Sequence, residues 1–186
     1  MTSDAVAVAQ DVSVAGGRIL LAPHNCFACG TLNAHGLQLA LHAAGDRAWA
    51  DLAVPERFEG WGGIVHGGIL CTILDEVMAW SFVTRDIWAV TARMNVEFRR
   101  PVAIEQPIHA EGRVLEVRRR LVLVEGEIRD AADGTLLARA EGTYVGASDA
   151  RKAELKRRYG FRLEPADADA ADSRQPEPPG TVDAPA

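Results

Sequence analysis

Residues 69–82 limit what this chain can fold into more than any other stretch. Ile69, Leu70, Ile73, Leu74, Val77, Met78, Trp80 and Phe82 recur at helical spacing and leave little polar surface. Such a helix, expected to end near residues 84–86, needs a broad cover. The rest of the chain offers strands. Residues 37–41 and 47–54 alternate apolar and polar side chains on either side of Gly45-Asp46 and read as a hairpin. After the helix come four more alternating runs, at 89–98, 108–117, 121–129 and 136–145. They are separated by the proline-bounded stretch 101–107, by Arg118-Arg119-Arg120 and by the Asp133-Gly134 turn. Two strands, a long apolar helix and four strands predict an α+β domain, an antiparallel sheet of about six strands wrapped around one central helix. A short charged helix is predicted at 149–159.

Composition narrows the class of partner. The 186 residues are 48% hydrophobic and 25% charged, as in ordinary globular domains. The net charge is −6 and no basic block is present, so a nucleic-acid reader is not expected. No uninterrupted run of 18 apolar residues occurs, so no membrane partner is expected either. The N-terminus carries Asp4 and Asp11 and lacks the basic start of a signal peptide. With only three cysteines, Cys26, Cys29 and Cys71, a reducing, cytoplasmic setting is the default. Residues 1–23 read as an N-terminal arm in which Ile19, Leu20 and Leu21 dock, and 24–160 as the folded domain. Residues 161–186 are acidic and proline-rich, with no large apolar side chain after Leu163, and read as a disordered tail.

Chemistry is concentrated around the helix. Gly67-Gly68 opens it, and backbone N–H groups at a helix start lack intrahelical acceptors and favour negative charge. Glycine lets a ligand approach them closely. Asp75 and Glu76 then interrupt the apolar run, with no Lys or Arg within four residues to pair with them. One turned inward is a general-base or nucleophile candidate. They lie about 100° apart around the helix, so they do not share a face. Cys26-x-x-Cys29 is half a zinc site that His24 and His35 could complete. No second such pair exists, and a reduced, packed loop is the default. No metal and no cofactor are therefore expected. Arg118-Arg119-Arg120 reads first as a solvated turn, and second as a contact for the phosphates of a ligand.

His66-Gly67-Gly68 followed after six residues by Asp75, and the run Thr91-Ala92-Arg93-Met94-Asn95-Val96-Glu97-Phe98-Arg99-Arg100-Pro101, resemble the hotdog-fold acyl-CoA thioesterases of the phenylacetic-acid-pathway type, in the 4-hydroxybenzoyl-CoA thioesterase superfamily. Cys26-Phe27-Ala28-Cys29-Gly30, with Asn33 and Gly36-Leu37, is similar to the N-terminal segment of one branch. The resemblance spans residues 24–147. It implies a hotdog fold and hydrolysis of an acyl-CoA thioester, with Asp75 as base or nucleophile and the Gly67 N–H polarising the thioester carbonyl. It also implies Thr91 near the attacking water, with His66, Gly68 and Trp61 in contact with substrate. Gly60 stands where many members carry a substrate-contacting Asn or Gln. A hotdog dehydratase or hydratase, and a non-catalytic acyl-thioester-binding module, are the competing implications. Gly67 and Asp75 are separated by about 12 Å of helix rise, too far to share one reacting carbonyl. A homodimer or homotetramer with sites shared between subunits resolves this, as the resemblance also implies.

Overall fold

The computed structural model describes residues 10–14 and 17–165. The strands are β1 (Gln10–Val14), β2 (Gly17–Leu21), β3 (His42–Ala44), β4 (Arg47–Ala53), β5 (Glu59–Trp61), β6 (Ile64–Val65), β7 (Ala89–Phe98), β8 (Pro107–Arg118), β9 (Leu121–Asp130), β10 (Leu136–Gly146) and β11 (Arg162–Pro165). The helices are α1 (Gly67–Trp80) and α2 (Asp149–Arg158). Nine strands form one sheet in the order β11-β2-β1-β3-β4-β8-β9-β10-β7, and β5 and β6 form a separate small hairpin. All pairings are antiparallel except β1 with β3. This is the α+β hotdog arrangement, one long helix packed against a multi-stranded, largely antiparallel sheet.

Leu70, Ile73, Leu74, Val77 and Met78 form the stripe of α1 that the sheet covers; the last four are fully buried. They meet Ala50, Ile108, Ala110, Val124, Ile128 and Ala140 in one core. The helical stretch Gly67–Arg85 is apolar and long enough to cross a bilayer by composition. In the fold its stripe is taken up by the sheet instead. The helix itself ends at Trp80, where the Ser81 hydroxyl donates to the Met78 carbonyl at 2.7 Å. A separate 3-10 turn, Val83–Arg85, carries the chain on to Asp86, which sits at φ 56°.

A row of small residues crosses the sheet beneath α1. Ala48 pairs with Gly112, Gly112 with Gly126, and Gly126 with Ala140. A Cβ at Gly112 would stand 2.4 Å from the Val77 carbonyl oxygen and 2.6 Å from the Met78 Cα. The helix backbone therefore lies directly on β8. At Gly126 the same atom would meet side chains and no helix backbone, the flexible Met78 at 2.9 Å and Leu74 at 3.2 Å.

Three sequence expectations are corrected here. Residues 37–41 form no strand. Leu37 and Leu39 donate their N–H groups to the carbonyls of Phe27 and Ala28, and Gln38 sits at φ 50° between them, so this stretch pairs with the preceding loop. The alternation is real, since Leu39 and Leu41 are buried, but only His42–Ala44 joins the sheet. The described part of the N-terminal arm is a hairpin, β1 with β2, built into the sheet edge rather than a docked or frayed arm. The tail boundary also moves. Arg162–Pro165 pairs with β2, and Arg18 bonds Glu164 at 3.4 Å, so four residues assigned to the tail are part of the sheet. These additions at one edge raise the strand number above the expected six. The remainder of the tail, 166–186, and residues 1–9 lie outside the described residues.

Gly112→Ala should lower stability by about 3 kcal/mol, the upper range for overpacking, because the added methyl meets helix backbone. Gly126→Ala should cost about 1 kcal/mol, since Met78 has three rotatable bonds with which to yield. Urea denaturation of both variants checks this; equal losses would contradict the close approach at Gly112.

Candidate active site

Asp75 emerges from α1 toward the β7–β10 edge of the sheet, and two hydroxyls meet it there. Thr91 Oγ1 donates to Asp75 Oδ1 at 2.7 Å and Tyr144 Oη donates to the same oxygen at 2.8 Å. A bulge makes this possible. Thr143 pairs with Arg93 but Tyr144 pairs with Thr91, so Ala92 is an extra residue in β7. The shift sets Thr91 and Tyr144 opposite one another below the carboxylate. Oδ2 has no hydrogen-bond partner among the described residues and remains open to a solvent molecule. Tyr144 is fully buried and packs edge-on against Phe82 at 5.3 Å, which fixes its ring. Burial first, and the Asp75 carboxylate second, push the Tyr144 phenol well above its ordinary 10.0, so it stays a donor.

The other half of the site lies at the start of α1. His66 is the N-cap, and its Nδ1 accepts the Gly68 N–H at 2.9 Å. The Ile69 N–H turns to the His66 carbonyl at 2.9 Å. The Gly67 N–H is left without an acceptor among the described residues. Capping thus singles out one donor of the three, and it removes Gly68 N–H from those open to a substrate. His66 acts here through its Nδ1 as a cap. The Gly67 donor opens on a groove of about 490 Å³ walled by Trp61, His66, Phe98, Arg99, Arg100 and Pro101. Phe98 lies against Gly67, its ring 3.4 Å from where a Cβ would be. Arg99 pairs with Glu97 at 2.5 Å, whereas Arg100 has no ion pair among the described residues. Trp61 stands at the tip of the β5–β6 hairpin, 81% exposed. A Cβ at Gly60 would come within 3.1 Å of the His66 Cα, so the hairpin is folded tightly onto this position and a larger residue would displace it.

Of the residues expected at a site, the structure joins Asp75 with Thr91, and Gly67 with His66 and Trp61. It does not join the two groups, which lie eight residues apart along α1. Tyr144, Phe98, Arg99 and Arg100 were not singled out from sequence. Tyr144 had a legible signal: it shares the inward face of its strand with Leu136, Ala138 and Ala140, and a buried tyrosine hydroxyl needs a partner. The Arg118-Arg119-Arg120 turn is locally satisfied. Arg118 bonds Glu116 at 2.5 Å, Arg119 takes φ 55°, and Arg120 bonds the Gly146 carbonyl at 2.9 Å.

Glu76 turns away from Asp75. Its Oε1 accepts the Trp80 Nε1–H at 2.9 Å, and burial, ahead of the nearby Cys26 sulfur, pushes the carboxyl up to about 7. The neighbouring Cys29 thiol holds Cys26 down to about 5 despite its burial, and the Cys26 sulfur together with burial pushes Cys29 up.

Because the Tyr144 phenol is held up in the folded state, stability is intact below about pH 10 and falls as pH rises past it, where the unfolded chain ionises first. Tyr144→Phe should flatten that alkaline fall, seen in urea midpoints between about pH 9 and 11. An unchanged pH slope would show that the hydroxyl is not held this way.

The thioesterase superfamily model matches residues 62–137. SSO2140, a candidate esterase of Saccharolobus solfataricus, is 33% identical over 100 residues, covering 53% of this chain and 70% of that protein. The crystal structure of RHA08564, a thioesterase superfamily protein, superposes with a TM-score of 0.60 at 26% identity, covering 64% of this chain and 62% of that one. The Escherichia coli PaaI protein from the phenylacetic acid degradation operon shares the fold, with a TM-score of 0.53 at 18% identity, covering 56% of this chain and 75% of that one.

Proposed function

This chain belongs to the thioesterase superfamily, and from that premise we propose that it hydrolyses an acyl-CoA thioester to a carboxylic acid and free coenzyme A. The observation that carries the reading is Asp75: a carboxylate on an apolar helix, pinned through Oδ1 by Thr91 and Tyr144 with Oδ2 left open. A positioned carboxylate with one open oxygen is suited to take a proton from water. The resulting hydroxide adds to the thioester carbonyl carbon. The oxyanion that forms is met by the Gly67 N–H, a donor already aimed and needing no reorganisation. Collapse breaks the carbon–sulfur bond, and the proton held on Asp75 passes to the leaving thiolate. Thr91 and Tyr144 hold the carboxylate through these steps. Commitment of His66 Nδ1 to the helix cap favours hydrolysis over dehydration, which calls for a histidine beside the reacting carbon.

A second copy of the chain supplies the missing geometry. The Gly67 donor and the Asp75 carboxylate are about 12 Å apart along one helix, whereas the reacting atoms must come within about 3–3.5 Å. The face of α1 that carries Gly68, Thr72, Asp75 and Ala79 is not buried by the sheet, and β7 is a sheet edge with Val90 71% exposed. Two protomers meeting at this face bring Gly67 of one to Asp75 of the other. The groove beside Gly67 takes the coenzyme A portion, with Arg100 toward its phosphates and Trp61 and Phe98 against apolar parts. A reducing cytoplasm suits the three free thiols.

Release of thiol from a panel of acyl-CoA substrates tests the reading. Asp75→Asn should reduce kcat about 10²-fold or more with KM little moved; wild-type turnover would remove the assignment. Mixing folded Asp75→Asn protomers with folded Gly67→Pro protomers should restore part of the activity, because one of the two shared sites regains both groups. Folded mixed dimers with no recovery would remove the shared site. Arg100→Ala should raise KM roughly tenfold, lessen its dependence on salt, and leave kcat nearly unchanged; an unmoved KM would place the phosphates elsewhere.

A further inference from the structure

The loop at residues 24–30 folds against α1 and brings Cys26, Cys29 and Glu76 together, their ligand atoms all within 4.8 Å of one another. Nothing in the proposed hydrolysis uses them. The loop is built tightly. The Gly30 N–H donates to the Cys26 carbonyl at 2.9 Å, the Cys26 N–H donates to His24 Nδ1 at 3.3 Å, and the N–H groups of Ala28 and Cys29 point at the Cys26 sulfur. A Cβ at Gly30 would stand 2.4 Å from both the Cys26 nitrogen and the His24 carbonyl oxygen, so the turn closes only on glycine. The Phe27 and Ala28 carbonyls accept from Leu37 and Leu39, which ties the loop into the domain from behind.

Opposite the two sulfurs stands a carboxylate. Among the described residues Glu76 forms no ion pair, and the Trp80 indole N–H donates to it at 2.9 Å. A carboxylate beside two sulfurs at the wall of a largely apolar cavity is stabilised by a bound cation. The cavity, of about 300 Å³, is lined by Trp80, Phe82, Ile87, Trp88, Tyr159 and Phe161, with His24 also at its wall.

We infer that Cys26, Cys29 and Glu76 bind one zinc(II) ion, with a fourth position open to a water or small ligand from this cavity. Two thiolates with one carboxylate form a borderline-soft set that suits zinc rather than magnesium or calcium. The cysteine spacing is that of a zinc knuckle. Around a tetrahedral ion with the usual zinc–sulfur and zinc–oxygen lengths, the ligand atoms lie about 3.5–3.8 Å apart. The three need close by about 1 Å from their present spread. Each thiol that ligates the ion releases its proton to solvent. Bound there, zinc fastens the 24–30 loop to α1 one residue from Asp75. It has no part in the chemistry proposed at Asp75.

Cobalt(II) reports the site directly. The reduced, full-length protein, stripped of metal with a chelator, should take up one equivalent of cobalt with thiolate-to-metal charge-transfer absorption and the visible bands of a tetrahedral ion, both lost on adding zinc. Cys26→Ser should lower the charge-transfer intensity, and Glu76→Gln should weaken cobalt binding at least tenfold. Cys71→Ser should leave the spectrum as it is. Folded wild-type protein that develops no such absorption, or a Cys26→Ser variant with the wild-type spectrum, would overturn the assignment. So would thiols that titrate as a Cys26–Cys29 disulfide even under reductant. The spectrum is read without substrate, so its outcome is separate from that of the thiol-release assay.

Discussion

The close seating of α1 on the sheet is the constraint on which the rest of this structure depends. Ala48, Gly112, Gly126 and Ala140 lie side by side across four strands, and over Gly112 the helix backbone touches the strand with no side chain between. Helix and sheet layers are normally held apart by interdigitating side chains. Removing that layer locally lowers the helix into the curve of the sheet. The same strands keep large residues along their length, so Ile108, Ile128 and Tyr144 rise on either side of the row. Asp75 is within reach of β10 because of this descent.

Once the helix is seated, a single extra residue in β7 completes the carboxylate's surroundings. The bulge at Ala92 places Thr91 rather than its neighbour opposite Tyr144. Both hydroxyls are neutral donors. They orient Asp75 without the ion pair that an arginine or lysine would form, which suits the role of base proposed for it. The helix start uses the complementary economy of groups: the His66 cap satisfies the Gly68 N–H and leaves the Gly67 N–H pointing at a groove. In the proposed hydrolysis one end of the helix receives negative charge and its middle delivers the base. The separation between them is fixed by helical rise alone, and no side-chain adjustment within one protomer removes it.

Much of this was legible in the sequence. The helix at 69–82 and the four strands after it follow from periodicity, because each has one face whose burial the sheet enforces. The Asp75–Thr91 partnership was legible through family resemblance and not through local pattern, since the two residues meet only by tertiary packing. What escaped reading was set by backbone pairing rather than by side-chain polarity. Residues 37–41 alternate like a strand, yet Gln38 at positive φ turns them onto the 24–30 loop. Arg162–Pro165 has the composition of a tail, and its pairing with β2 depends on an edge that no property of its own residues announces. Gly112 and Gly126 look like weak points in strands 108–117 and 121–129; only the helix laid across them explains both.

Asp75 and Glu76 show how one helical step separates two fates for the same chemistry. A turn of about 100° sends Asp75 to hydroxyl donors at the sheet edge and Glu76 to two sulfurs and an indole. Read from sequence, the pair looked like a choice, one acid inward and functional, the other outward. The fold makes neither of them a solvated surface acid. Asp75 is placed where two neutral hydroxyls orient it. Glu76 is placed where a charge is hard to hold without a cation, beside the loop that covers the helix. Because the two are adjacent on a rigid helix, whatever fixes Glu76 also fixes the rotation of α1 that aims Asp75. The loop at 24–30 therefore bears on the carboxylate's position without touching it, and its tight closure on Gly30 has a reason beyond covering the core.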